Sequence, residues 1–321
     1  MAAVRKYKTG LVPVSRPHPK DPKPPYKGKA WRATIERYKR SVKVPHAAEQ
    51  EIIISAKSRE TAHRTLNLIM ASHWLLQGEP LGWPIELVAY RDEDIKDLEE
   101  TERRSIEAKC FSMGGLRLAC SLAAKASFRR ANVYAIHKYN FSISLYSNFA
   151  VDLDPSFGPP HLPVSPYPSD HIAFCHCIIS AYSVLEEIGL EIRASHEKPS
   201  KIGGEWNPPV KKDLEDRLQR AGIKLNETLL WTLRGPRRKI ELIRPPRALK
   251  KEPWSVGPVR DAEIDVVDAV AYVSWLRSYV ASHKTKDVSA VLSPYDIANA
   301  QHLARRLLLE SMGFWSYYEN H

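Results

Sequence analysis

Helical periodicity dominates the second half of the chain. Apolar residues recur there every three or four positions, as they do along the buried face of an amphipathic helix. Helices of this kind bury their apolar faces against one another, most simply as an antiparallel four-helix bundle. We therefore predict a mainly α protein with a C-terminal bundle, whose helices cover about 171–190, 210–221, 261–282 and 294–312.

Local signals mark the ends of these helices. Ser169 or Asp170 is expected to cap the first helix, and Gly222 follows the end of the second. Ser293 and Pro294 begin the fourth. A serine hydroxyl caps free N–H groups, and proline at the first helical position lacks a donor that would have no helical partner anyway.

Two shorter segments lie between the predicted helices. Residues 224–233 are predicted as a further short helix. Residues 240–248 are predicted as extended, because two adjacent prolines interrupt them. Neither segment is expected to contribute a long helix to the bundle.

The first half of the chain mixes helix and strand signals. Ser58 is expected to cap a helix over 59–77, which Gly78 ends. Three consecutive isoleucines predict a buried strand over 51–55, and alternation predicts a second strand over 84–90. The sequence thus indicates a helix-rich N-terminal module with a small β element.

Two further stretches of this half are predicted to be helical. Residues 31–44 favour a short basic amphipathic helix, and 92–146 have helical spacing almost throughout. Residues 1–30 mix proline and lysine with little apolar surface to bury, which is typical of a solvated, extended arm.

Prolines divide the chain into its predicted parts. Six of them fall between 155 and 168, a density that excludes both the interior of a helix and the centre of a strand. The predicted parts are a basic arm, an N-terminal module, a proline-rich linker and a helical domain, at 1–43, 44–150, 151–169 and 170–321.

The positive charge is concentrated in the arm. The chain has a formal net charge of +11, and residues 1–43 hold 13 Lys and Arg against two acidic residues. The remaining residues carry 35 basic and 35 acidic side chains and are therefore neutral overall. Two interpretations of the arm stay open, a solubilising tail and an electrostatic tether to RNA phosphates or acidic partners.

Several classes of function are disfavoured by composition and motifs. No apolar run reaches the ~18 residues of a membrane span, and the N-terminus lacks the apolar core of a signal peptide, so we expect no membrane association and a cytoplasmic protein. We also expect no cofactor, because neither a Gly-rich phosphate loop nor a zinc-protease or serine-hydrolase motif occurs. Metal or disulfide roles are not expected for the four cysteines, which lie in apolar helical stretches at Cys110, Cys120, Cys175 and Cys177.

The candidate chemistry lies at the end of the third predicted helix. Arg277 carries a permanent charge, and His283 can change charge near neutral pH, a combination that suits phosphodiester chemistry. Six positions on a straight helix rotate by about 600°, so the helix must unwind near Ser282 for the two side chains to converge. The alternative is an exposed histidine at a helix end and an arginine that covers apolar surface.

The Arg277-to-His283 spacing and the order of the helices around it resemble the HEPN family, the higher eukaryotes and prokaryotes nucleotide-binding domain. The resemblance covers roughly the last 150 residues. It implies metal-independent RNA cleavage of the prokaryotic toxin or phage-defence kind, in which histidine handles protons and arginine stabilises phosphate charge. It also implies a homodimer, because two motif-bearing helices commonly meet across a two-fold axis.

A second hypothesis belongs to a different class. The C-terminal domain can be a catalytically silent HEPN-like module that binds nucleic acid or protein, with the N-terminal module supplying specificity or a protein-partner surface. Converging side chains of Arg277 and His283 in an open groove favour chemistry. Divergent or buried side chains favour the binding module.

One carboxylate is predicted to support the candidate site. Glu186 shares a helix face with Tyr182, and an inward carboxylate needs a cationic partner, for which Arg277 is the natural choice. The alternative is that Glu187 turns inward and Glu186 is solvated.

Two weaker candidates complete the set. Arg130 and His137 also match a short Arg–His pattern and share one face of a helix. A basic turn is either a solvated loop or a holder of RNA phosphates, through Arg234, Arg237, Arg238 and Lys239.

Overall fold

A computed structural model describes residues 4–8, 12–13, 21–37, 49–78, 115–149, 168–234, 238–245, 259–282 and 292–315. The chain forms two compact units, Met1–His137 and Lys138–His321. The predicted linker lies outside the described residues, except for its last two positions, which begin a helix.

The N-terminal unit contains an antiparallel sheet in the order β1-β5-β4-β3, with β2 paired to the start of β5. Its strands are β1 (Arg5–Lys8), β2 (Val12–Pro13), β3 (Tyr26–Lys27), β4 (Trp31–Arg37) and β5 (Glu49–Ala56). The strand predicted over 51–55 is confirmed as part of β5.

This sheet corrects two predictions for the first 43 residues. Residues within the supposed solvated arm form β1, β2 and β3, and the helix predicted over 31–44 is wrong at 31–37, which form β4. The reason is a period of two. Ala33 and Ile35 are buried while Arg32 and Glu36 are exposed, as on a strand with one covered face.

Helices cover one face of the sheet. They are α1 (Arg59–Gln77) and α2 (Leu116–Ala126), and α3 (Arg130–Phe149) follows them in the chain. α1 packs against α2, β4 and β5, and α2 packs against β3. The buried core between the layers includes Ile52, Ile54, Leu66, Ile69 and Leu122.

The predicted ends of α1 are confirmed. The Ser58 hydroxyl accepts a hydrogen bond from the Thr61 N–H at 3.1 Å. Gly78 adopts a left-handed conformation with φ of 84° and donates its N–H to the Trp74 carbonyl at 2.8 Å. The strand predicted over 84–90 and the residues 92–114 lie outside the described part of the chain, while 116–146 is helical apart from a turn at 127–129.

The C-terminal unit is mainly helical with two small two-stranded sheets. Its elements after α3 are α4 (Pro168–Ile188), β6 (Lys201–Ile202), β7 (Glu205–Trp206), α5 (Pro208–Arg220), β8 (Thr228–Arg234), α6 (Lys239–Ile243), β9 (Val259–Asp265), α7 (Val266–Ser282) and α8 (Pro294–Ser311). Strands β6 and β7 pair with each other, as do β8 and β9, all antiparallel. No described helix combines the length and hydropathy needed to span a bilayer.

Three secondary-structure predictions are wrong in this unit. The short helix predicted over 224–233 is replaced by β8, whose alternate residues Leu229, Trp231 and Leu233 are buried. The first residues of the predicted helix 261–282 instead form β9, because they pair with β8. Residues 239–243, predicted in part as extended, form α6.

Two helices of this unit begin at a proline, each a few residues earlier than predicted. α4 begins at Pro168, ahead of the predicted caps Ser169 and Asp170. Pro208 and Pro209 occupy the first positions of α5. The predicted start of α8 is confirmed, since the Ser293 hydroxyl accepts from the Tyr295 N–H at 3.1 Å and Asp296 accepts from the Ser293 N–H at 2.7 Å.

α4 is the central helix of this unit and packs against both α7 and α8. A buried polar contact also joins three helices. Gln301 on α8 donates to the Ser142 carbonyl at 3.1 Å, and the Ser142 hydroxyl on α3 donates to the Cys177 carbonyl on α4 at 2.7 Å. The unit is thus mainly helical as predicted, and the four-helix bundle stays a prediction.

Strand β8 is attached to α8 by one buried side chain. The Asn299 amide accepts from the Thr232 N–H at 3.2 Å and donates to the Thr232 carbonyl at 2.9 Å. We expect Asn299→Ala to lower the free energy of unfolding by about 1–3 kcal/mol, because it leaves two backbone groups without this partner. Urea titration measures the change.

Asn226→Ala, at an exposed position in the turn before β8, is the matched control and should stay within about 0.5 kcal/mol of wild type. Equal effects of the two changes would contradict the role given to Asn299.

Candidate functional site

The predicted pairing of Arg277 with Glu186 is present between α7 and α4. The Arg277 Nη2 atom lies 3.3 Å from Glu186 Oε1. The two side chains are 40% and 35% exposed, so the pair faces solvent in part and is not the fully buried counter-charge that was expected. An arginine in this setting is positioned and still accessible to a ligand.

Tyr182 is a second partner of Arg277. The guanidinium carbon lies 5.9 Å from the centroid of the Tyr182 ring, within the range of a cation–π contact. The Tyr182 hydroxyl accepts from the Ile192 N–H at 3.0 Å and forms a further hydrogen bond with Ser274. Burial raises the pKa of Tyr182, so the phenol stays neutral.

Residues later in α4 contact residues later in α7. Tyr182 meets Ser274, and one turn later Glu186 meets Arg277. The two helices therefore run in the same sense at this contact, and their C-terminal ends lie on the same side. His283 follows directly after the last residue of α7 in the sequence.

Both glutamates are partly exposed, Glu186 by 35% and Glu187 by 27%, and each forms an ion pair. Glu187 pairs with Lys138, with Lys138 Nζ at 2.7 Å from Glu187 Oε1. Adjacent helical residues point about 100° apart, so both glutamates find a cation on different sides of α4.

Ser282 is the last described residue of α7. Its hydroxyl donates to the Ser278 carbonyl at 2.8 Å. Serine hydroxyls that bond back to the preceding turn often bend a helix. His283 lies outside the described residues, so its convergence with Arg277 stays a prediction.

The basic turn is described only in part. Arg238 and Lys239 are exposed at the start of α6, and Arg238 Nε lies 3.8 Å from Glu241 Oε1. The side chain of Arg234 and all of Arg237 lie outside the described residues. Phosphate binding by this turn stays a prediction.

The second Arg–His pattern has a local partner of its own. Arg130 donates to the Tyr134 hydroxyl at 3.0 Å, and its guanidinium lies 5.1 Å from the centroid of that ring. Partial desolvation lowers the pKa of His137, which favours the neutral imidazole. The Arg130 side chain therefore contacts Tyr134, about one turn along the helix, whereas His137 is about two turns along.

The described cysteines are buried thiols. Burial raises the pKa of Cys120 and of Cys177 to about 12, and that of Cys175 to about 11. Protonated, buried thiols are inert toward redox partners and electrophiles. Among the described residues no group of three or more His, Cys, Asp and Glu side chains is arranged to hold a metal ion. Cys110 lies outside them.

Sequence reasoning did not assign Tyr182 a contact with Arg277. The signal was present, because Tyr182 precedes Glu186 by four residues and so lies on the same helix face. The Tyr182 side chain is buried, and its ring also contacts the arginine.

Comparisons with known proteins find no match to this chain among family models, curated proteins or solved structures. The resemblance to the HEPN family therefore stays a prediction from the sequence.

The exposure of the Glu186–Arg277 pair limits its contribution to stability. In a double-mutant cycle of Glu186→Gln and Arg277→Met, we expect a coupling of about 0.2–1 kcal/mol, typical of exposed ion pairs. The coupling should fall as salt is added, because the charges are screened by solvent ions. Urea unfolding of the four proteins provides the measurement.

The Glu187–Lys138 pair, with 27% and 36% exposure, is a matched control and should give a coupling of similar size. A coupling for Glu186–Arg277 near the roughly 3–5 kcal/mol lost on breaking a buried pair would contradict this interpretation.

Proposed function

We propose that the C-terminal unit is a HEPN-type ribonuclease that cleaves RNA without a metal, of the kind found in prokaryotic toxin and defence systems. Arg277 and His283 act on the phosphodiester, and Glu186 positions Arg277. A four-helix arrangement around α4 and a homodimer that joins two such sites are parts of the same proposal.

The observation that carries the proposal is the Glu186–Arg277 contact at 3.3 Å. The pair holds a guanidinium on α7, five residues before Ser282, the last described residue of that helix. Arginine offers a rigid fork of N–H donors that matches two phosphate oxygens, and its partial exposure leaves donors available.

The chemistry divides between the two residues. The neutral His283 imidazole takes the proton of the ribose 2′-hydroxyl, or its protonated form gives a proton to the leaving oxygen. Arg277 stabilises the negative charge that grows on the phosphate oxygens. An unperturbed histidine titrates near pH 6.5, close to the optimum for proton transfer at neutral pH.

One observation favours the alternative, a catalytically silent module that binds nucleic acid or protein. Glu186 lies 3.3 Å from Arg277 and offsets part of its charge. A phosphate must therefore compete with a carboxylate for the guanidinium. The rates of RNA cleavage by the His283→Ala and Arg277→Lys proteins distinguish the two functions.

His283→Ala is expected to lower the rate of RNA cleavage by a factor on the order of 10² to 10⁴, the usual contribution of a positioned acid or base. Purified protein and a labelled RNA, with products separated on a denaturing gel, provide the measurement. His196→Ala, at an exposed position in the loop before β6, is the matched control and should keep wild-type activity.

Excess EDTA should leave the wild-type rate unchanged, since neither residue needs a metal. Full activity of the His283→Ala protein, or loss of wild-type activity in EDTA, would overturn the mechanism and favour the binding module.

Arg277→Lys is expected to lower cleavage strongly although it keeps the positive charge. An ammonium group cannot reproduce the two-pronged contact of a guanidinium with phosphate oxygens. Arg193→Lys is the control, because Arg193 also pairs with a glutamate, Glu191 at 2.8 Å, and is exposed. Wild-type kcat/KM in the Arg277→Lys protein would show that the guanidinium is not used.

A further inference from the structure

The sheet of the N-terminal unit has two faces, one covered by helices and one on the opposite side. Side chains of successive residues on a strand point to opposite faces, and residues paired across strands share a face. The row Tyr7–Ile54–Ala33–Tyr26 crosses β1, β5, β4 and β3. Three of its members are at most 4% exposed, so this row faces the core beneath α1 and α2.

The next row lies on the other face and is basic. It runs from Lys6 on β1 through Ser55 on β5 to Arg32 on β4 and Lys27 on β3. The three cationic residues are exposed, and Ser55 is partly exposed between two of them. Neighbouring strands lie about 4.8 Å apart, so the row extends over about 14 Å.

Repulsion between the positive charges of this row destabilises the sheet. Arg32 and Lys27 are directly paired across β4 and β3, and like charges in that arrangement are destabilising. Within the described part of the chain, Lys6, Lys27 and Arg32 form no ion pair that would offset the repulsion. A bound polyanion removes it.

The chemistry of the row distinguishes among polyanions. A membrane-binding surface combines cations with apolar side chains that insert between lipids. Ile53 on β5 is 6% exposed and cannot insert, and Val4, directly before β1, is one exposed aliphatic side chain and not an apolar patch. A line of cations with an intervening hydroxyl instead matches a chain of phosphates, which arginine, lysine and serine all contact in nucleic-acid complexes.

We propose that the row Lys6–Ser55–Arg32–Lys27 is a binding surface for the phosphate backbone of single-stranded RNA. The surface recognises phosphates and not bases, because no aromatic side chain lies in the row. It belongs to the N-terminal unit and goes beyond the proposed cleavage by Arg277 and His283, on which it does not depend.

The experiment measures binding by the full-length chain carrying His283→Ala, so that the RNA stays intact. A fluorescent oligouridylate is titrated at several salt concentrations, and log K is plotted against log[salt]. Each lost phosphate contact changes the slope by about 0.7 for a single strand, so Lys6→Ala/Lys27→Ala/Arg32→Ala should reduce its magnitude by about 2.

The control removes the same number of charges away from this face. Arg59, Lys125 and Arg129 are exposed on α1, on α2 and in the turn after α2. Their triple alanine variant should keep the slope. Lys6→Ala alone should reduce it by about 0.7, and thermal melting should find the sheet variant as stable as its parent, because opposed like charges have been removed.

An unchanged slope in the sheet variant, or an equal change in the control, would overturn the proposal. Binding of vesicles of phosphatidylserine without binding of RNA would also overturn it. These outcomes are distinct from failure of the cleavage mechanism, which appears as full activity of the His283→Ala protein.

Discussion

The C-terminal unit depends on the burial of two helices that are apolar on nearly every side. In α4, buried residues occur at almost every position from Ala173 to Leu185, and in α7 every residue from Val266 to Val273 is buried. Helices of this kind are stable only at the centre of a fold. Within the unit, α5, α6, α8 and strands β8 and β9 pack against one or both of them.

That constraint explains the position of the candidate site. Glu186 lies about half a turn before the end of α4, and Arg277 about one and a half turns before the last described residue of α7, where the core gives way to partial exposure. If the pair were fully buried, the free-energy cost of removing water from the two charges could exceed their mutual attraction. If it were fully exposed, the interaction would be too weak to hold the arginine side chain in one orientation. Tyr182 gives the guanidinium a second contact and so fixes its direction.

Sequence reasoning succeeded where the signal was local. The caps Ser58, Gly78 and Ser293 could be identified because capping involves residues within one turn. The Glu186–Arg277 pair could also be predicted, although 91 residues separate its members, because an inward carboxylate and an arginine near a helix end constrain each other. The same argument could not determine how exposed the pair would be.

Prediction failed where pairing between distant segments decides the structure. Residues 31–37 and 259–265 carry charges at spacings that a helix also accommodates, and only their partners β5 and β8 make them strands. The positive charge of residues 1–43 could be anticipated, but for this reason its arrangement into one row could not. Lys6, Lys27 and Arg32 are scattered along an apparent arm, and the register of the sheet brings them into one row.

The central claim is that His283 and Arg277 cleave RNA by way of the ribose 2′-hydroxyl. The most direct test compares an RNA with the same sequence methylated at every 2′-oxygen, incubated with wild-type protein in EDTA. The account predicts that the unmodified RNA is cleaved and that the methylated RNA stays intact. Cleavage of both, or of neither, would contradict it.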